Sequence, residues 1–269
     1  VLTKRIGNAA GMIEEVLQAL RAEGLDVPAW PWANVWLGAT IVNQSEADRD
    51  IDKLLATLAA VRFLSIEPML GPIVLPFEKI ALRNALAIQE EQPWAKTGID
   101  WVIVGGESGP SARAVHPQWV RDLLAQCLTA GVAFFFKQWG HWRTIDQGKG
   151  DWYDSLYQSR RRARDGQDQG ALDELYGRVC KVKTAVLQID GAMLDISTPM
   201  AFRQGMHSLL AFAVGKGQAG RLLDGQEWNQ VPTQRNPGLY RTRNHAPCSG
   251  LVPLADASRV VSGKIQPRV

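Results

Sequence analysis

The sequence predicts an α/β protein built on a parallel sheet, with helices on the outer face of that sheet. The first observation is a set of five short apolar runs that do not alternate with polar residues, which is typical of strands buried on both faces. The second is the helical pattern between most of these runs, because strand and helix joined by short connections form the βαβ arrangement. The five runs lie at residues 1–3, 35–40, 61–66, 101–106 and 132–138.

Three segments have the apolar spacing of amphipathic helices. They are residues 8–23, 45–60 and 117–131. For the second segment, Ser45 is the predicted N-cap. The third begins at Pro117, which suits the first turn of a helix, and ends at Gly131. Together these segments account for most of the connections between the predicted strands.

The alternation of strands and helices stops after residue 142. A hairpin is predicted near residues 184–196, because Asp190 and Gly191 supply a tight turn between two apolar runs. The arginine-rich run at 160–164 indicates a solvated face or loop, with phosphate binding as the alternative. We therefore divide the chain into an α/β region at residues 1–142, an extension at 143–232 and an irregular tail at 233–269.

The composition is that of an ordinary globular protein. Apolar residues make up 46% of the chain, which argues against general disorder. With 30 basic against 27 acidic residues the net charge is +3, so charge alone does not indicate a nucleic-acid partner. No apolar run approaches the roughly 20 residues of a membrane span, and no signal peptide is recognisable. We expect a cytoplasmic protein without a membrane partner.

Polar side chains follow each of the five predicted strands. Because the carboxyl ends of parallel strands meet at one edge of a sheet, we expect these side chains to share a pocket. Solvent-exposed strand ends without a function are the alternative. The candidate residues are Lys4, Thr40, Glu67, Gly105, Gly106, Glu107, Ser108, Lys137 and Gln138.

Two glycines and a glutamate end the fourth run. Gly105 and Gly106 allow a sharp turn and a close approach to the backbone, and Glu107 stands at the carboxyl end of a buried strand, where α/β proteins place their chemistry. The alternative is a tight turn whose glutamate makes a local cap or salt bridge.

Six ordered blocks resemble a phage-associated family named after two phage gene products, thirty-seven and sixty-eight. The resemblance covers residues 1–232 and implies a distant relationship to radical S-adenosylmethionine enzymes. It therefore implies that residues 1–142 form a partial TIM-type barrel, with S-adenosylmethionine and a [4Fe–4S] cluster as cofactors of the complete parent. The blocks are LTKR, NVWLGAT, RFLSIEPMLGPI, DWVIVGGESGPSAR, FFFKQWG and AGRLLDGQEWNQVP.

The cysteines depart from that family's pattern, in which three thiolates hold three irons of the cluster. Cys127, Cys180 and Cys248 do not have the spacing of such a triad. Cys127 also lies on the apolar stripe of a predicted helix, where a buried structural thiol is expected. We expect no metal site in these residues and no assembled cofactor in the chain as given.

The chain begins with Val1 inside a predicted strand, so we interpret the absent cysteine block as a truncation. An incomplete barrel leaves its first strand as an open edge, and open edges favour pairing with another chain. We therefore expect self-association through this edge.

The resemblance implies roles for the candidate residues. Thr40 would line the cofactor cavity, with the two glycines of the fourth strand beside it. Glu67, Glu107 and Ser108 would accept hydrogen bonds from ribose hydroxyls or an amino group. Lys4 and Lys137 would neutralise a carboxylate or phosphate that Gln138 orients. Arg113 would bind an anion, with a surface salt bridge as the equal alternative.

Two functional hypotheses follow. The first is that the chain is the carboxyl-terminal part of a phage or prophage radical S-adenosylmethionine-like enzyme of unestablished substrate, inactive as given. The second is a non-catalytic phage barrel protein that binds a small anionic or nucleotide-like ligand in the same pocket. A nucleic-acid-binding module, supported only by residues 160–164 and the arginines of the tail, ranks last.

Overall fold

A parallel sheet of five strands in sequence order forms the centre of the molecule. The computed structural model describes residues 1–89 and 98–232, all within one compact unit that spans Val1–Pro237. The predicted strand order is confirmed, whereas the predicted tail at 233–269 lies outside the described residues. The strands are β1 (Leu2–Thr3), β2 (Trp36–Thr40), β3 (Val61–Ile66), β4 (Trp101–Gly105) and β5 (Ala133–Gln138).

A helix follows each of the first four strands, as the βαβ arrangement requires. The helices are α1 (Ala9–Ala22), α2 (Gln44–Ala56), α3 (Phe77–Gln89) and α4 (Pro117–Ala130). Three of them correspond to the predicted helical segments. The sequence reasoning missed α3, of which Ile80 is a buried residue while Leu82 and Leu86 are exposed.

The two faces of the sheet have different surroundings. In a parallel pair, side chains in register point to the same face, and Leu64, Val102 and Phe134 are successive register partners. These three side chains are fully buried in one cluster with Leu54 of α2 and Leu123 of α4. The helices therefore cover this face.

The opposite face carries a strip of half-buried aromatic side chains. Trp101 lies at its centre and makes edge or tilted ring contacts with Trp36, Phe63 and Phe135, at centroid separations of 5.9 to 6.0 Å. The ring of Phe63 covers Gly38, where a Cβ would lie 2.2 Å from a ring atom. We call Trp36, Phe63, Trp101 and Phe135 the aromatic strip.

The amino end of α2 is fixed by a reciprocal pair of hydrogen bonds. Asn43 Oδ1 accepts from the Glu46 N–H at 2.9 Å, and Glu46 Oε2 accepts from the Val42 N–H at 3.0 Å. Asn43 is therefore the N-cap, and the prediction of Ser45 was wrong. Asparagine and serine are both good N-caps, and the capping residue lies two positions earlier in the chain than the apolar periodicity indicated.

The ends of α4 are as the sequence predicts, with one addition. Gly131 ends the helix in the left-handed conformation at a φ of 65°, and Pro117 occupies its first turn. The addition is His116, a buried N-cap whose Nδ1 accepts from the Gln118 N–H at 3.2 Å. The neutral ring then carries its proton on Nε2, which donates to the His207 carbonyl at 3.0 Å. Burial lowers the pKa of His116 below its ordinary value.

The depressed pKa of His116 predicts a loss of stability in mild acid. The unfolded chain takes up a proton near pH 6.5, whereas the folded ring resists it, so the free energy of unfolding should fall as pH decreases below about 6.5. His116→Asn keeps a side-chain acceptor for the cap and removes the titration. Urea unfolding from pH 7.5 to 5 should show a flatter pH dependence in this variant, and an unchanged dependence would contradict the assignment.

The extension forms a second, antiparallel sheet. The predicted hairpin is confirmed, since β9 (Thr184–Leu187) pairs with β10 (Met193–Leu194) around the turn at Gly191. The sequence did not predict that β11 (Leu209–Ala213) and β6 (Trp142–Thr144) join it, giving the order β10-β9-β11-β6. The elements of the extension are β6 (Trp142–Thr144), β7 (Tyr157–Gln158), α5 (Gln169–Tyr176), β8 (Val179–Cys180), β9 (Thr184–Leu187), β10 (Met193–Leu194), β11 (Leu209–Ala213) and α6 (Lys216–Ala219).

After α6 the chain returns to the parallel sheet. The Phe136 N–H donates to the Trp228 carbonyl at 2.9 Å, and Asn229 forms an antiparallel bridge with Phe135. Residues 219–230 therefore cover the outer edge of β5. Among the described residues, no helix combines the length and the hydropathy needed to cross a membrane.

Candidate functional site

A glutamate and a lysine meet at the carboxyl edge of the parallel sheet. Lys137 Nζ lies 3.2 Å from Glu67 Oε1 and 3.3 Å from Oε2. The register between β4 and β5 shifts at this point, so Gly105 stands opposite Gln138 and Lys137 becomes the extra residue of a bulge. Bulges redirect side chains beside functional sites. Half of the Lys137 side chain, 51%, remains exposed.

Gly105 makes room for this ion pair. A Cβ on Gly105 would lie 2.5 Å from Glu67 Oε1, so the carboxylate rests directly on the β4 backbone. Ser65 Oγ donates to Glu67 Oε2 at 3.3 Å, and Thr40 is the register partner of Ser65. Thr40, Ser65, Glu67 and Lys137 therefore form one polar cluster, which we call the rim cluster.

Glu107 is engaged in a second ion pair, with Arg113. Its Oε2 accepts from the Arg113 backbone N–H at 2.8 Å and from Nε at 2.9 Å, while its Oε1 accepts from the terminal guanidinium nitrogen at 2.9 Å. The hydrogen bonds from the guanidinium and from the backbone N–H lower the pKa of Glu107 to about 2. The pairing corresponds to the local salt bridge that the sequence left open as an alternative for both residues.

The turn after β4 crosses the segment after β5 at van der Waals contact. A Cβ on Gly106 would lie 1.9 Å from the Trp139 carbonyl oxygen, and one on Gly140 would lie 2.1 Å from the Glu107 carbonyl oxygen. Gln138 spans the same crossing, since its Nε2 lies 3.4 Å from both the Gly106 carbonyl and Ser108 Oγ. Both glycines are required by this close approach of two backbones.

The structure thus sorts the predicted site residues into two neighbouring groups. Thr40, Glu67 and Lys137 belong to the rim cluster, which rests on Gly105, whereas Gly106, Glu107, Ser108, Arg113 and Gln138 belong to the crossing and its ion pair. Lys4 follows β1 at the same edge of the sheet, but within residues 1–89 and 98–232 no hydrogen bond or ion pair joins its side chain to either group.

The loop that carries Arg113 is held by the second sheet. Trp142 Nε1 donates to the Ala112 carbonyl at 2.6 Å, and the Ala114 N–H donates to Met193 Sδ at 3.4 Å. Ala112, Ala114 and Trp142 pack with Leu187 in a small apolar cluster of their own. The extension therefore positions the loop between β4 and α4.

Three residues that belong to this region were not among the predicted site residues. Ser65 supports Glu67, Trp142 anchors the loop, and the Arg221 guanidinium carbon lies 5.3 Å from the centroid of Phe135 in the aromatic strip. The available signal for the first was a polar residue near the carboxyl end of β3. The other two depend on contacts between distant parts of the chain.

The described cysteines do not fit an iron–sulfur cluster. Cys127 packs in the core between α4 and the sheet, and burial raises the pKa of its thiol to about 12, far from the thiolate that iron requires. Cys180 lies on β8 in the extension. No group of three or more His, Cys, Asp or Glu side chains with metal-binding geometry occurs within the described ranges. Cys248 lies outside these ranges.

Comparison with known proteins identifies a family without a described activity. A family model for a protein of unknown function, DUF5131, matches residues 1–232, so the chain belongs to that family. No curated protein and no solved structure matches the chain.

Proposed function

We propose that this member of the DUF5131 family binds a small ligand carrying both an amino group and a carboxylate, with S-adenosylmethionine as the best candidate, at the rim cluster. The cytoplasmic location and the descent from a phage-associated, radical S-adenosylmethionine-like barrel are part of this proposal, and the six sequence blocks support the descent. The single observation that carries the ligand class is the Glu67–Lys137 pair on Gly105.

The charges of the pair are complementary to an amino-acid group. Glu67 can accept from a ligand ammonium while Lys137 donates to a ligand carboxylate, and each protein group keeps a charged partner during the exchange. This matters because separating a partly buried ion pair without replacement leaves a charge unsatisfied. A ligand that carries only positive or only negative charge would pair with one of these two residues and leave the other without a charged partner.

The aromatic strip adds a second recognition element on the same face. Ile103 and Phe135 are the register partners that continue from Ser65 across the sheet, so apolar side chains lie directly beside the rim cluster on the same face. Aromatic side chains offer apolar surface and edge-to-face contacts for a planar ring. An amino acid joined to a nucleoside would engage both elements.

The resemblance assigns the radical chemistry of the parent to reductive cleavage of S-adenosylmethionine by the cluster. Since the described cysteines do not fit that cluster, we derive no step through it. The described residues support binding and orientation of the ligand by Glu67, Lys137 and the aromatic strip.

A second candidate function is binding of a purely anionic or nucleotide-like ligand without redox chemistry. The exposure of the Lys137 side chain, 51%, favours it, because an ammonium that faces solvent can receive a phosphate. In that case Lys137 would contribute to binding and Glu67 would oppose it.

Isothermal titration calorimetry with S-adenosylmethionine, adenosine and ATP separates the two candidates. For the first, S-adenosylmethionine should bind best, and Glu67→Gln and Lys137→Met should each weaken its binding at least tenfold, because a hydrogen bond to a charged group contributes about 1.5–3 kcal/mol and about 1.4 kcal/mol is a factor of ten. Lys79→Met removes a cation from the exposed pair with Asp52 and should leave the affinity unchanged.

Other outcomes decide against the first candidate. If ATP binds more tightly than S-adenosylmethionine and depends on Lys137 alone, the anion-binding function replaces it. If none of the three compounds binds, or if Lys79→Met weakens binding as much as the rim variants, both candidates are refuted.

A further inference from the structure

Four arginines crowd into one loop of the extension. We call residues 160–164, with the sequence Arg-Arg-Arg-Ala-Arg, the arginine loop. Arg160, Arg161, Arg162 and Arg164 are exposed. In the part of the chain that the structure describes, no carboxylate lies within ion-pair distance of these side chains, whereas Arg113, Arg121 and Arg178 are paired. The positive charge of the loop is therefore available to an external anion.

The backbone of the arginine loop is held in place by side chains from α5 and by Ser159, the residue after β7. The Arg161 carbonyl accepts from Ser159 Oγ at 2.7 Å and from Gln169 Nε2 at 3.0 Å. The Ala163 N–H donates to Gln169 Oε1 at 2.9 Å, and the Ser159 N–H donates to Asp173 at 2.7 Å. A fixed backbone lowers the ordering cost of binding, since only the arginine side chains remain to be restricted.

Aromatic rings interleave with cations around the loop. The Arg161 guanidinium carbon lies 4.1 Å from the ring centroid of Tyr176, a residue that is 47% exposed. Elsewhere in the extension, Arg178 lies over Tyr157 at 6.0 Å and Arg143 over Trp152 at 4.2 Å. Cations alone would suit any polyanion, but cations combined with exposed rings are typical of surfaces on which nucleic-acid bases stack.

We propose that the arginine loop and Tyr176 form a binding surface for single-stranded nucleic acid. The loop spans at most about 18 Å, which limits it to a few consecutive nucleotides. Unpaired bases are needed for stacking on Tyr176, so a single strand is favoured over a duplex. The net charge of +3 does not predict this partner, because it is summed over the whole chain and does not reveal that four arginines fall within five residues. The surface is independent of the rim cluster and of the ligand proposed there.

Fluorescence anisotropy with labelled oligonucleotides of about 20 nucleotides tests the proposal. The full chain should bind single-stranded DNA or RNA at about 50 mM salt, more tightly than the duplex. Each lost phosphate contact lowers the slope of log affinity against log salt by about 0.7 on single strands. The triple variant Arg160→Gln, Arg162→Gln, Arg164→Gln should therefore bind at least tenfold more weakly, with a slope reduced by about 2.

A matched triple variant provides the control. Arg21→Gln, Lys79→Gln and Arg83→Gln remove the same charge from exposed positions of α1 and α3, and should change the affinity less than twofold. Tyr176→Ala should weaken binding several-fold and leave the salt slope unchanged, because it removes stacking rather than a phosphate contact. An equal loss in both triple variants, absence of binding, or preferential binding to vesicles of anionic lipid would overturn the proposal.

Discussion

Replacing Gly106 with alanine is expected to destabilise the protein by about 3 kcal/mol. The added Cβ would lie 1.9 Å from the Trp139 carbonyl oxygen and 2.5 Å from its carbonyl carbon. These are backbone atoms, so the contact cannot be relieved by rotating a side chain. The Gly106 N–H also donates to the Gln138 carbonyl at 2.9 Å, which holds the two segments at this separation. Urea unfolding followed by tryptophan fluorescence measures the change as a shift in the midpoint.

Gly11→Ala is the matched control for that substitution. Gly11 lies inside α1, and a Cβ there would meet no atom within 4 Å, so alanine should stabilise the helix by about 0.5–1 kcal/mol. Gly105→Ala should destabilise the protein less than Gly106→Ala, because its added Cβ would meet the Glu67 carboxylate, a side-chain group that can move. If Gly106→Ala unfolds at the wild-type urea concentration, the two backbones can separate at little cost, and Gly106 is not required for their crossing.

The parallel sheet was predictable because its strands are signalled locally. Strands β2 to β5 are apolar runs without alternation, and each is preceded or followed by residues that break the strand. Consecutive strands joined by short right-handed βαβ connections usually lie side by side, which is why the sequence correctly predicts five strands in succession. The TIM-type barrel into which these strands would close is part of the function proposed above.

The second sheet was largely unpredictable for a physical reason. Only its hairpin is local, with β9 and β10 separated by a turn that Gly191 allows. Strand β6 pairs with β11, about seventy residues later, and has three residues, too few for a periodic pattern. Helix α3 was missed because its apolar residues do not fall on one buried stripe, as the exposure of Leu82 shows.

The candidate site was predicted in its location and not in its pairing. Strand order places Glu67 and Lys137 at one edge, although it does not specify that they form an ion pair across Gly105. The pairing depends on Gly105, whose lack of a side chain the sequence shows, and on the bulge in β5, which the apolar pattern of the strand does not indicate. Likewise, the partner of Glu107 is six residues away in a loop whose shape is set by Trp142, in a different sheet.

The second large effect is expected for Trp142. Its ring is buried between the loop at Ala112 and the antiparallel sheet at Leu187, and its indole N–H donates to the Ala112 carbonyl. Trp142→Ala removes the ring and leaves a cavity, which typically costs about 3–5 kcal/mol for a buried aromatic residue. The loop between β4 and α4 contains the Glu107–Arg113 pair and is held by Trp142. In Trp142→Ala, amide hydrogen exchange at residues 108–115 should therefore accelerate more than exchange in β2.

Trp142→Phe separates packing from the hydrogen bond. It retains most of the ring but leaves the Ala112 carbonyl, in a residue that is 8% exposed, without its donor, at a cost of about 1–3 kcal/mol. Trp30→Phe is the matched control, since the Trp30 indole donates to the Leu58 carbonyl in an exposed setting where water can replace it. Equal effects of the two phenylalanine variants on the midpoint of urea unfolding would mean that the buried bond to Ala112 stabilises the protein no more than the exposed bond of Trp30.

Unchanged exchange at residues 108–115 in Trp142→Ala would mean that the loop keeps its shape without the second sheet. The positioning of Arg113 by the extension would then have to be abandoned.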